Sequence, residues 1–542
     1  MLTGIYQAPN PDNVKPCTFA PGTEERALLK AALEEVSSQK IVIPAIINGK
    51  EVYTDDRFEV RAPHDHNLLL AECCRVGEEG LKEAIETAMA AKDAWELLPR
   101  EQRYAVFLKA ANLVETKYRY FLTAVTMLGQ SKTANEASFD APDEVCDLLR
   151  YNVYNMDTIY NMQPKQDLTL MNRLKYRPLE GFVCAVTPFN FASICANLPA
   201  APATAGNVVV WKPSTNAVLI SYYIMKIFME AGLPAGVINF VPSRGSDVSN
   251  YVLTDRRLGG FHFTGSTRVF RDTWKMVGEN IDNYRAYPRL VGETGGKDYC
   301  FATENANVDE LVTGLIRGAF EYQGQKCSAL SRAYIPAKLW PEVKEKLLAE
   351  IKTIRVGDVK DFRVLMGAVI DRHAFNLAAE YIDSAKHDED ADLLCGSYDD
   401  TKGLFIYPTV IQVKSLNYKS FNHELFSPIL SIYVYEKDEY DKVIDHCANS
   451  SKYALTGCIY THDRSEIAEL EWKLRDSAGN WNINDKPAGA LTGHQPFGGA
   501  RGSGTNDKAG NITNMFRWVS PQSIKENMLP FTDYRWPSME EA

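Results

Sequence analysis

Cys327 is the residue whose sequence context best suits nucleophilic chemistry. It lies in the segment GQKCS, beside Lys326 and just after a glycine that is expected to end a helix. A basic neighbour and a helix terminus would lower the pKa of the thiol and raise its thiolate fraction. Free cysteines are also among the most buried residues, so a purely structural thiol is the alternative. The local pattern makes Cys327 a candidate nucleophile and leaves that alternative open.

Three other segments carry polar groups of possible chemical use. Asn190 follows a predicted strand in PFNF, where its amide would either stabilise an oxyanion or simply form a turn. Glu293 precedes a glycine pair in GETGGKD, which puts it on a close-packed backbone, although most isolated glutamates are surface residues. FTGS, residues 263–266, would open a helix whose N-terminus binds pyrophosphate. Each signal is weak when it is taken alone.

The sequence lacks the signatures of several other chemistries. GETGGKD fails the P-loop spacing because Val291 and Asp298 stand where Gly and Ser or Thr are needed. No G-x-G-x-x-G, G-x-S-x-G or H-E-x-x-H pattern occurs, so an ordinary Rossmann fingerprint, a serine-hydrolase elbow and a zinc site are not predicted. The 11 cysteines include no C-x-x-C pair, which favours a reducing compartment with mostly buried thiols.

Composition narrows the class of protein. The 542 residues are 45% hydrophobic and 24% charged, as in ordinary soluble chains of two to four domains. The net charge is −11 and no basic blocks occur, so neither nucleic acids nor anionic membranes are expected as partners. The uncharged run 181–211 is long enough to mimic a membrane span, but its prolines and asparagines predict a buried strand, a loop and the start of a helix.

These polar groups need a sheet to position them. Two amphipathic helices precede and follow Pro99, and short apolar strands then alternate with helices, which predicts βαβ units and a mostly parallel sheet. Asn190, Lys212 and Ser266 fall at the carboxyl ends of three such strands, where open α/β sheets bind ligands. A second α/β block begins near Leu290, and no Gly/Ser or Pro-rich linker separates the two blocks.

The order of these motifs along the chain is more specific than any one of them. The series TPFNF, WKPS, FTGS, GETGGK, GQKCS, ELFSP and PFGG resembles the aldehyde dehydrogenase superfamily over nearly the whole chain. RPLEGFVCAVTPFNF, FEYQGQKCSALSR, NINDKPAG and QPFGGARGSGTNDKAG are most similar to its Δ1-pyrroline-5-carboxylate dehydrogenase branch. The resemblance implies an α/β fold, with a doubly wound parallel-sheet cofactor domain, an α/β catalytic domain and a β-hairpin oligomerisation arm.

The resemblance also implies how the chain is divided. The expected parts are an N-terminal arm with the first part of the NAD-binding domain (1–156), an oligomerisation hairpin (157–177), the rest of the NAD-binding domain (178–289), a catalytic domain (290–485), and a return to the NAD-binding domain with a C-terminal oligomerisation segment (486–542). We expect a homodimer or a higher homo-oligomer.

The same resemblance assigns a mechanism. Cys327 would attack the aldehyde, Asn190 and the Cys327 backbone N–H would hold the oxyanion, and Glu293 would activate the water that hydrolyses the thioester. The implied cofactor is NAD, with Lys212 and Glu424 on its riboses, Gly265 and Ser266 at the pyrophosphate, and Phe426 beside the nicotinamide. No metal is implied, and nucleotide binding without G-x-G-x-x-G is characteristic of this family.

The implied substrate is L-glutamate γ-semialdehyde, which is oxidised to L-glutamate in the second step of proline catabolism. The residues that would contact it are Ser328, Lys326, Gly489 and Ala490 at the carboxylate, Glu144 near the ammonium, and Phe191 and Phe497 along the aliphatic chain. The alternative is another semialdehyde or a short aliphatic aldehyde. A hydrolase that uses Cys327 would need a histidine base, and no histidine lies in a recognisable context.

Two departures from the family pattern bear on specificity. Ala490 stands where a serine is common, so one hydroxyl donor to the carboxylate is lost, at a cost of about 1 kcal/mol. Residues 214–216 lack the carboxylate that often binds the adenosine ribose, so NADP would be repelled less, although NAD is still favoured.

The length leaves no room for a fused proline dehydrogenase barrel of about 250 residues, so a separate proline dehydrogenase is the expected partner enzyme. The N-terminus does not resemble a leader, which favours the cytoplasm, with the mitochondrial matrix as the alternative.

Overall fold

The computed structural model describes residues 6–541. Its strands, numbered along the chain, are β1 (Ile41–Ile43), β2 (Ala45–Ile47), β3 (Lys50–Val52), β4 (Arg57–Arg61), β5 (Leu69–Cys74), β6 (Leu170–Pro178), β7 (Phe182–Val186), β8 (Val209–Lys212), β9 (Ile238–Phe240), β10 (Leu258–Thr264), β11 (Arg289–Glu293), β12 (Asp298–Ala302), β13 (Leu330–Pro336), β14 (Ala391–Cys395), β15 (Tyr398–Asp399), β16 (Phe405–Ile406), β17 (Thr409–Val413), β18 (Ile429–Tyr435), β19 (Tyr453–Ala454), β20 (Thr456–Tyr460), β21 (Asn480–Ile483), β22 (Ala500–Arg501) and β23 (Val519–Asn527).

The α-helices are α1 (Glu24–Ser38), α2 (Glu78–Leu97), α3 (Arg100–Glu115), α4 (Arg119–Gln130), α5 (Ala134–Ser138), α6 (Val145–Tyr160), α7 (Ala192–Thr204), α8 (Val218–Glu230), α9 (Gly245–Asp247), α10 (Thr267–Glu279), α11 (Val308–Phe320), α12 (Trp340–Ile351), α13 (Arg372–Ala385), α14 (Lys419–Asn422), α15 (Tyr440–Asn449), α16 (Arg464–Lys473) and α17 (Ile512–Phe516). A π-helical turn, Phe139–Glu144, joins α5 to α6.

The first large sheet has the order β11-β10-β7-β8-β9-β2-β3. The chain lays down β7, β8 and β9 in succession on one side and then returns to place β10 on the other side of β7, with all these pairs parallel. Strand order therefore reverses at β7, and ligands of open α/β sheets bind outside the carboxyl ends of the strands at such a point. The predicted strand ends at Lys212 and Ser266 are confirmed, because Lys212 closes β8 and only Gly265 separates Ser266 from the end of β10.

The second large sheet has the order β14-β17-β18-β13-β12-β20-β21 and is parallel except for the pairing of β14 with β17. Residues 294–297 alone lead from β11 of the first sheet to β12 of the second. Glu293 ends β11, and Cys327 lies just before β13. The candidate base and the candidate nucleophile therefore lie near the junction of the two sheets.

A two-stranded sheet joins distant parts of the chain. The predicted oligomerisation hairpin (157–177) contains most of one strand only: β6 pairs not with a second strand of that segment but antiparallel with β23, from Leu170 opposite Asn527 to Pro178 opposite Val519. The C-terminal segment is thereby fixed to residues 170–178.

Helix prediction succeeded where apolar spacing was regular. Leu81, Ala84, Ile85 and Ala88 form the buried face of α2, and Pro99 separates α2 from α3. α1 was not predicted within the N-terminal arm. Its buried residues nevertheless have helical spacing, namely Leu29, Ala32, Leu33 and Val36.

The uncharged run 181–211 forms β7, a loop, α7 and most of β8. The predicted strand, loop and helix are confirmed, but Pro199 and Pro202 lie inside α7 instead of ending it. Among residues 6–541, no helix is both long and apolar enough to cross a membrane.

Candidate active site

One cavity of about 880 Å³ is lined by two of the three predicted catalytic residues and by all the predicted substrate-binding residues. Cys327 and Glu293 both line it. The predicted substrate residues line it as well, namely Glu144, Phe191, Lys326, Ser328, Gly489, Ala490 and Phe497. These residues come from five separate parts of the chain, and the fold brings all of them to one space.

The loop that carries Cys327 has an unusual backbone. Tyr322 and Gln323 have φ of 51° and 55°, and Gly324 follows with φ of 64°. Left-handed backbone in non-glycine residues is costly and persists only where the surroundings enforce it. The Gln323 amide donates to the Ser131 carbonyl at 2.9 Å, and its Oε1 accepts from the Gly367 N–H at 3.0 Å. Buried side-chain hydrogen bonds therefore fix the path of the chain towards the thiol.

The glycine pair before Lys297 lies where neighbouring groups leave no room for a side chain. A Cβ on Gly295 would lie 2.1 Å from the Glu424 carboxylate, and a Cβ on Gly296 would lie 2.2 Å from the carbonyl oxygen of Cys327. Only glycine lets the link between the two sheets pass between these groups.

The expectation of a lowered thiol pKa was wrong. Burial raises the pKa of Cys327, and the carboxyl groups of Asp298, Glu293 and Glu424 raise it further. The Lys326 ammonium does not offset this effect, because it is paired with Glu136 at 3.0 Å and Glu321 at 3.2 Å. In this state the site therefore holds the sulfur as a thiol.

Asn190 lies against the nucleophile loop. Its Nδ2 donates to the Gln325 carbonyl at 3.2 Å, and the side chain is buried. It is not among the residues that line the cavity. Its acceptor Gln325 is nevertheless only two residues before Cys327, and releasing this hydrogen bond would free the Asn190 amide to act as a donor.

Glu293 is a buried carboxyl group at the end of β11. Its Oε2 accepts from the Gly499 N–H at 2.8 Å, and burial raises its pKa well above the ordinary value. A carboxyl group with a raised pKa has a high proton affinity once it is ionised, as a general base requires.

Glu144 ends the π-helical turn and faces the same cavity. Its Oε2 accepts from the Ser193 hydroxyl at 2.8 Å, and burial together with the nearby Asp140 raises its pKa to about 8. π-helical turns often occur at functional sites, where the extra residue redirects a side chain.

The predicted cofactor residues form a second group, outside the cavity wall. Lys212 ends β8, and its Nζ donates to the Pro213 carbonyl at 3.1 Å. Among residues 6–541 no carboxylate forms an ion pair with Lys212, so this half-buried ammonium is available to hydroxyl groups. Burial lowers its pKa.

The other members of the group lie at strand and helix ends. The Ser266 side chain caps α10 by accepting from the Val269 N–H, which leaves the first N–H groups of this helix for an anion. A Cβ on Gly265 would lie 2.7 Å from the Phe263 ring, so the turn before Ser266 needs glycine. Glu424 accepts from the Gly296 N–H at 2.8 Å, while Phe426 has φ of 52° and its ring packs against Phe189. These groups fit a dinucleotide, and Lys212 and Ser266 lie at the ends of the two strands that flank β7, where strand order reverses.

The segment 214–216, which has no carboxylate in its own sequence, contacts the carboxylate of Asp371. The Asn216 side chain donates to Asp371 Oδ2 at 3.0 Å, while Asp371 Oδ1 caps α13 by accepting from the Ala374 N–H at 2.9 Å. Asp371 is 155 residues away from Asn216, so motif spacing gave no sign of it.

The sequence did not predict that the N-terminal segment contributes to the cavity rim. Residues 16–19 line the cavity, and the preceding Asn13 donates from Nδ2 to Asp147 at 2.7 Å and to the Thr492 carbonyl at 2.9 Å. Thr492 lies in the loop that carries Gly489 and Ala490. No sequence pattern indicates this contact, since it depends on an irregular segment that crosses the fold.

The structure gives no support to a cysteine–histidine hydrolase. His262 is the histidine that lines the cavity, and its Nδ1 lies 2.9 Å from the Leu198 carbonyl. Burial lowers the pKa of His262 to about 4. Among residues 6–541 no histidine is hydrogen-bonded to Cys327, and no group of three or more His, Cys, Asp or Glu is arranged to hold a metal ion.

Comparisons with known proteins give the relatives of this chain. Residues 52–523 match the aldehyde dehydrogenase family. The chain is 46% identical over 535 residues to a Dictyostelium discoideum protein named delta-1-pyrroline-5-carboxylate dehydrogenase, mitochondrial, with 98% of this chain and 96% of that protein covered. The crystal structure of the Delta-pyrroline-5-carboxylate dehydrogenase from Mycobacterium tuberculosis bound with NAD has a TM-score of 0.96 at 44% identity, and all of both chains is covered. Proline utilization A from Bdellovibrio bacteriovorus has a TM-score of 0.89 at 28% identity, and 93% of this chain but 52% of that one is covered.

Proposed function

This chain belongs to the aldehyde dehydrogenase family, and from that premise we propose that Cys327, Asn190 and Glu293 are its catalytic residues. The enzyme is an NAD-dependent L-glutamate γ-semialdehyde dehydrogenase of proline catabolism, as its relatives' names and the NAD-bound neighbour support. The observation that carries the residue assignment is the one cavity that Cys327 and Glu293 share with all the predicted substrate residues.

In the proposed reaction the Cys327 sulfur bonds to the aldehyde carbon after losing its proton. Since burial raises the pKa of this thiol, a base must accept that proton, and Glu293, which faces the same cavity, serves this role when ionised. The Asn190 amide, turned away from the Gln325 carbonyl, and the Cys327 backbone N–H stabilise the charge that forms on the oxygen.

NAD, when bound, supplies the acceptor for the hydride that leaves the aldehyde carbon. The carbon is then held as a thioester on Cys327. Glu293 first passes the thiol proton to solvent and, ionised again, takes a proton from a water molecule. The resulting hydroxide attacks the thioester carbon, and the bond to sulfur breaks, so that the carboxylic acid is released and the Cys327 thiolate recovers a proton. Lys212 and Glu424 would bind the riboses, Gly265 and Ser266 the pyrophosphate, and Phe426 the nicotinamide side.

The remaining assignments concern the substrate. Ser328, Lys326 and the backbone at Gly489 and Ala490 would receive its carboxylate. Glu144 would face the ammonium, and Phe191 and Phe497 would pack against the methylene groups. A semialdehyde with charged groups at one end and a short apolar chain meets these requirements better than a simple aldehyde does.

An assay of NADH formation tests both the substrate and the mechanism. L-glutamate γ-semialdehyde, succinate semialdehyde and propanal would be compared with NAD and with NADP. We expect a clear preference for L-glutamate γ-semialdehyde and NAD, and loss of NADH formation in Cys327→Ala. Equal activity on propanal would overturn the substrate assignment, and full activity of Cys327→Ala would overturn the mechanism.

Assembly, partner enzyme and compartment are three further proposals. We propose a homo-oligomer in which β6 and β23 contribute to subunit contacts, and a separate proline dehydrogenase that supplies the substrate. The fraction of proline utilization A that this chain covers is compatible with such a division of labour. We propose the cytoplasm as the compartment, with the mitochondrial matrix as the alternative, because the Dictyostelium discoideum relative is named mitochondrial. Light scattering and cell fractionation test these points.

A further inference from the structure

A cluster of five charged side chains lies at the cavity wall near Ser328 and Gly489. Its members are Arg317, Lys326 and Lys486, with the carboxylates of Glu136 and Glu321, and all five line the cavity. Three cations face two carboxylates, so the cluster carries one excess positive charge in a protein whose net charge is −11. We name it the Glu321 cluster.

Glu321 is shared among all three cations. Its Oε1 accepts from Arg317 Nε at 2.7 Å, and its Oε2 accepts from Lys326 Nζ at 3.2 Å and also from Lys486 Nζ. These neighbours lower the pKa of Glu321 to about 2, although burial opposes them, so it stays ionised. One carboxylate cannot satisfy three cations.

The cations differ in how well they are compensated. Lys326 has a second carboxylate, Glu136, at 3.0 Å, and the Arg317 side chain is 58% exposed to solvent. Lys486 has neither advantage, because its side chain is only 16% exposed and Glu321 is its one carboxylate partner among residues 6–541. Asp485, the adjacent acidic residue, is exposed and therefore screened by water. Burial lowers the pKa of Lys486, as expected for an ammonium that lacks a full counter-charge.

The ammonium of Lys486 also lies beside the loop that is expected to receive the substrate carboxylate. A Cβ on Gly489 would be 3.9 Å from Lys486 Nζ. The N–H groups of Gly489 and Ala490 donate to no acceptor within residues 6–541. Ala490 supplies no hydroxyl. Two free N–H groups next to an under-compensated buried cation form a site for an anion.

We propose that Lys486 is a specificity-determining residue, whose ammonium, held by Glu321, supplies the charge that binds the substrate's α-carboxylate where Ala490 offers no hydroxyl. The inference rests on the proposed function, because it names the group that selects a carboxylate-bearing aldehyde. A buried charge-assisted hydrogen bond is about twice as strong as a neutral one, so Lys486 more than replaces the missing hydroxyl.

The test compares Lys486→Met and Lys486→Arg with wild type on two aldehydes, L-glutamate γ-semialdehyde and propanal, with NAD saturating. We expect Lys486→Met to lower kcat/KM for the semialdehyde by about 10-fold or more, mainly through KM, since a hydrogen bond to a charged group is worth that factor. The same variant should change kcat/KM for propanal less than about twofold, because propanal has no carboxylate. Lys486→Arg, which keeps the charge, should recover most of the loss.

A second readout does not depend on turnover. Calorimetric titration with L-glutamate, the product with the same carboxylate, should show about 10-fold weaker binding to Lys486→Met than to wild type. Binding to Glu136→Gln should be tighter than to wild type, because the cluster then has a further excess positive charge. Lys338→Met, which breaks an exposed pair with Glu304, is the matched control and should match wild type in both assays.

The outcomes separate the two proposals. If wild type oxidises propanal as well as the semialdehyde, the proposed function fails. If wild type prefers the semialdehyde but Lys486→Met loses the same factor on both aldehydes, or binds L-glutamate as wild type does, the role of Lys486 is overturned. If Lys486→Met does not fold, the inference is decided by Glu136→Gln, for which unchanged or weaker L-glutamate binding overturns it.

Discussion

The ammonium of Lys132 lies 2.7 Å from the Asp140 carboxylate, and neither side chain is accessible to solvent. Asp140 also accepts the N–H groups of Ala192 and Ser193 at the start of α7, each at 2.9 Å. Lys132 Nζ is 4.0 Å from the centre of the Phe191 ring and 4.3 Å from that of Tyr322. This ion pair therefore connects the substrate-facing ring with the loop that leads to Cys327.

Lys132→Met should strongly destabilise the protein. It leaves Asp140 as a buried carboxylate without its counter-ion, which typically costs about 3–5 kcal/mol. Urea denaturation followed by fluorescence measures the loss. Lys338→Met is the control, because an exposed pair is worth about 1 kcal/mol or less. Equal urea midpoints for the two variants would refute this role of the buried pair.

Glu293→Gln should separate the two halves of the reaction. Glutamine cannot accept a proton from water, so thioester hydrolysis should slow by about 10²–10⁴-fold. In rapid mixing at high pH, where hydroxide in solvent takes the thiol proton in place of Glu293, the first turnover should still produce NADH. Complete retention of the steady-state rate would show that another group activates water.

The pH dependence of Glu293 has a definite sign. Since burial raises its pKa well above the ordinary value, the carboxyl group ionises, and becomes a base, at higher pH than an ordinary glutamate does. The steady-state rate should therefore rise with pH over a range above that in which an ordinary carboxyl group ionises. A rate that falls over this range in wild type would contradict the assignment of Glu293 as the base.

Binding of an ammonium-bearing ligand should release a proton from Glu144. Its pKa of about 8 keeps it protonated at pH 7, and an ammonium ion nearby favours the ionised form. Titration of L-glutamate in two buffers of different ionisation enthalpy measures the proton release, which should disappear in Glu144→Gln. Affinity should rise from pH 7 to pH 9 in wild type only. Proton release that persists in the variant would have to come from another group.

Asp371→Asn should relax the discrimination between NAD and NADP. Asn216 belongs to the segment 214–216, which has no carboxylate of its own, and its side chain donates to the Asp371 carboxylate. Removal of the Asp371 charge should therefore reduce the repulsion of a 2′-phosphate. Asparagine also caps helices, so α13 should remain intact. We expect NADP to bind about 3- to 10-fold more tightly, since one screened charge is worth about 1 kcal/mol.

Equilibrium titration of each dinucleotide measures this change without catalysis. Asp392→Asn, at an exposed site in β14, is the control for a general change in net charge. If NADP binds equally to wild type and Asp371→Asn, then Asp371 does not face the ribose.

The strand ends and the main motifs could be predicted because they are local. Lys212 and Ser266 follow apolar runs whose length alone indicates buried strands, and the glycines around Glu293 and Cys327 are short-range signals. The order of the motifs then supplied the family, which no single motif could supply.

Features that depend on distant pairing could not be predicted. Glu321 and Lys486 are 165 residues apart, and Asn13 and Thr492 are 479 apart, so their contacts exist only in the folded chain. The thiol pKa was mispredicted for the same reason. Lys326 is adjacent to Cys327 in sequence, but its charge is used by Glu136 and Glu321, and burial of the sulfur has the larger effect.

The rim formed by residues 16–19 and tied through Asn13 to Thr492 has a consequence for protein engineering. A recombinant chimera that joined the catalytic half of this chain to the nucleotide-binding half of another family member would inherit only part of the substrate chamber. Its selectivity would then depend on a leading segment contributed by the other parent. Substrate selectivity thus depends on both halves of the chain. Exchange of one half would alter it even where every reacting residue is retained.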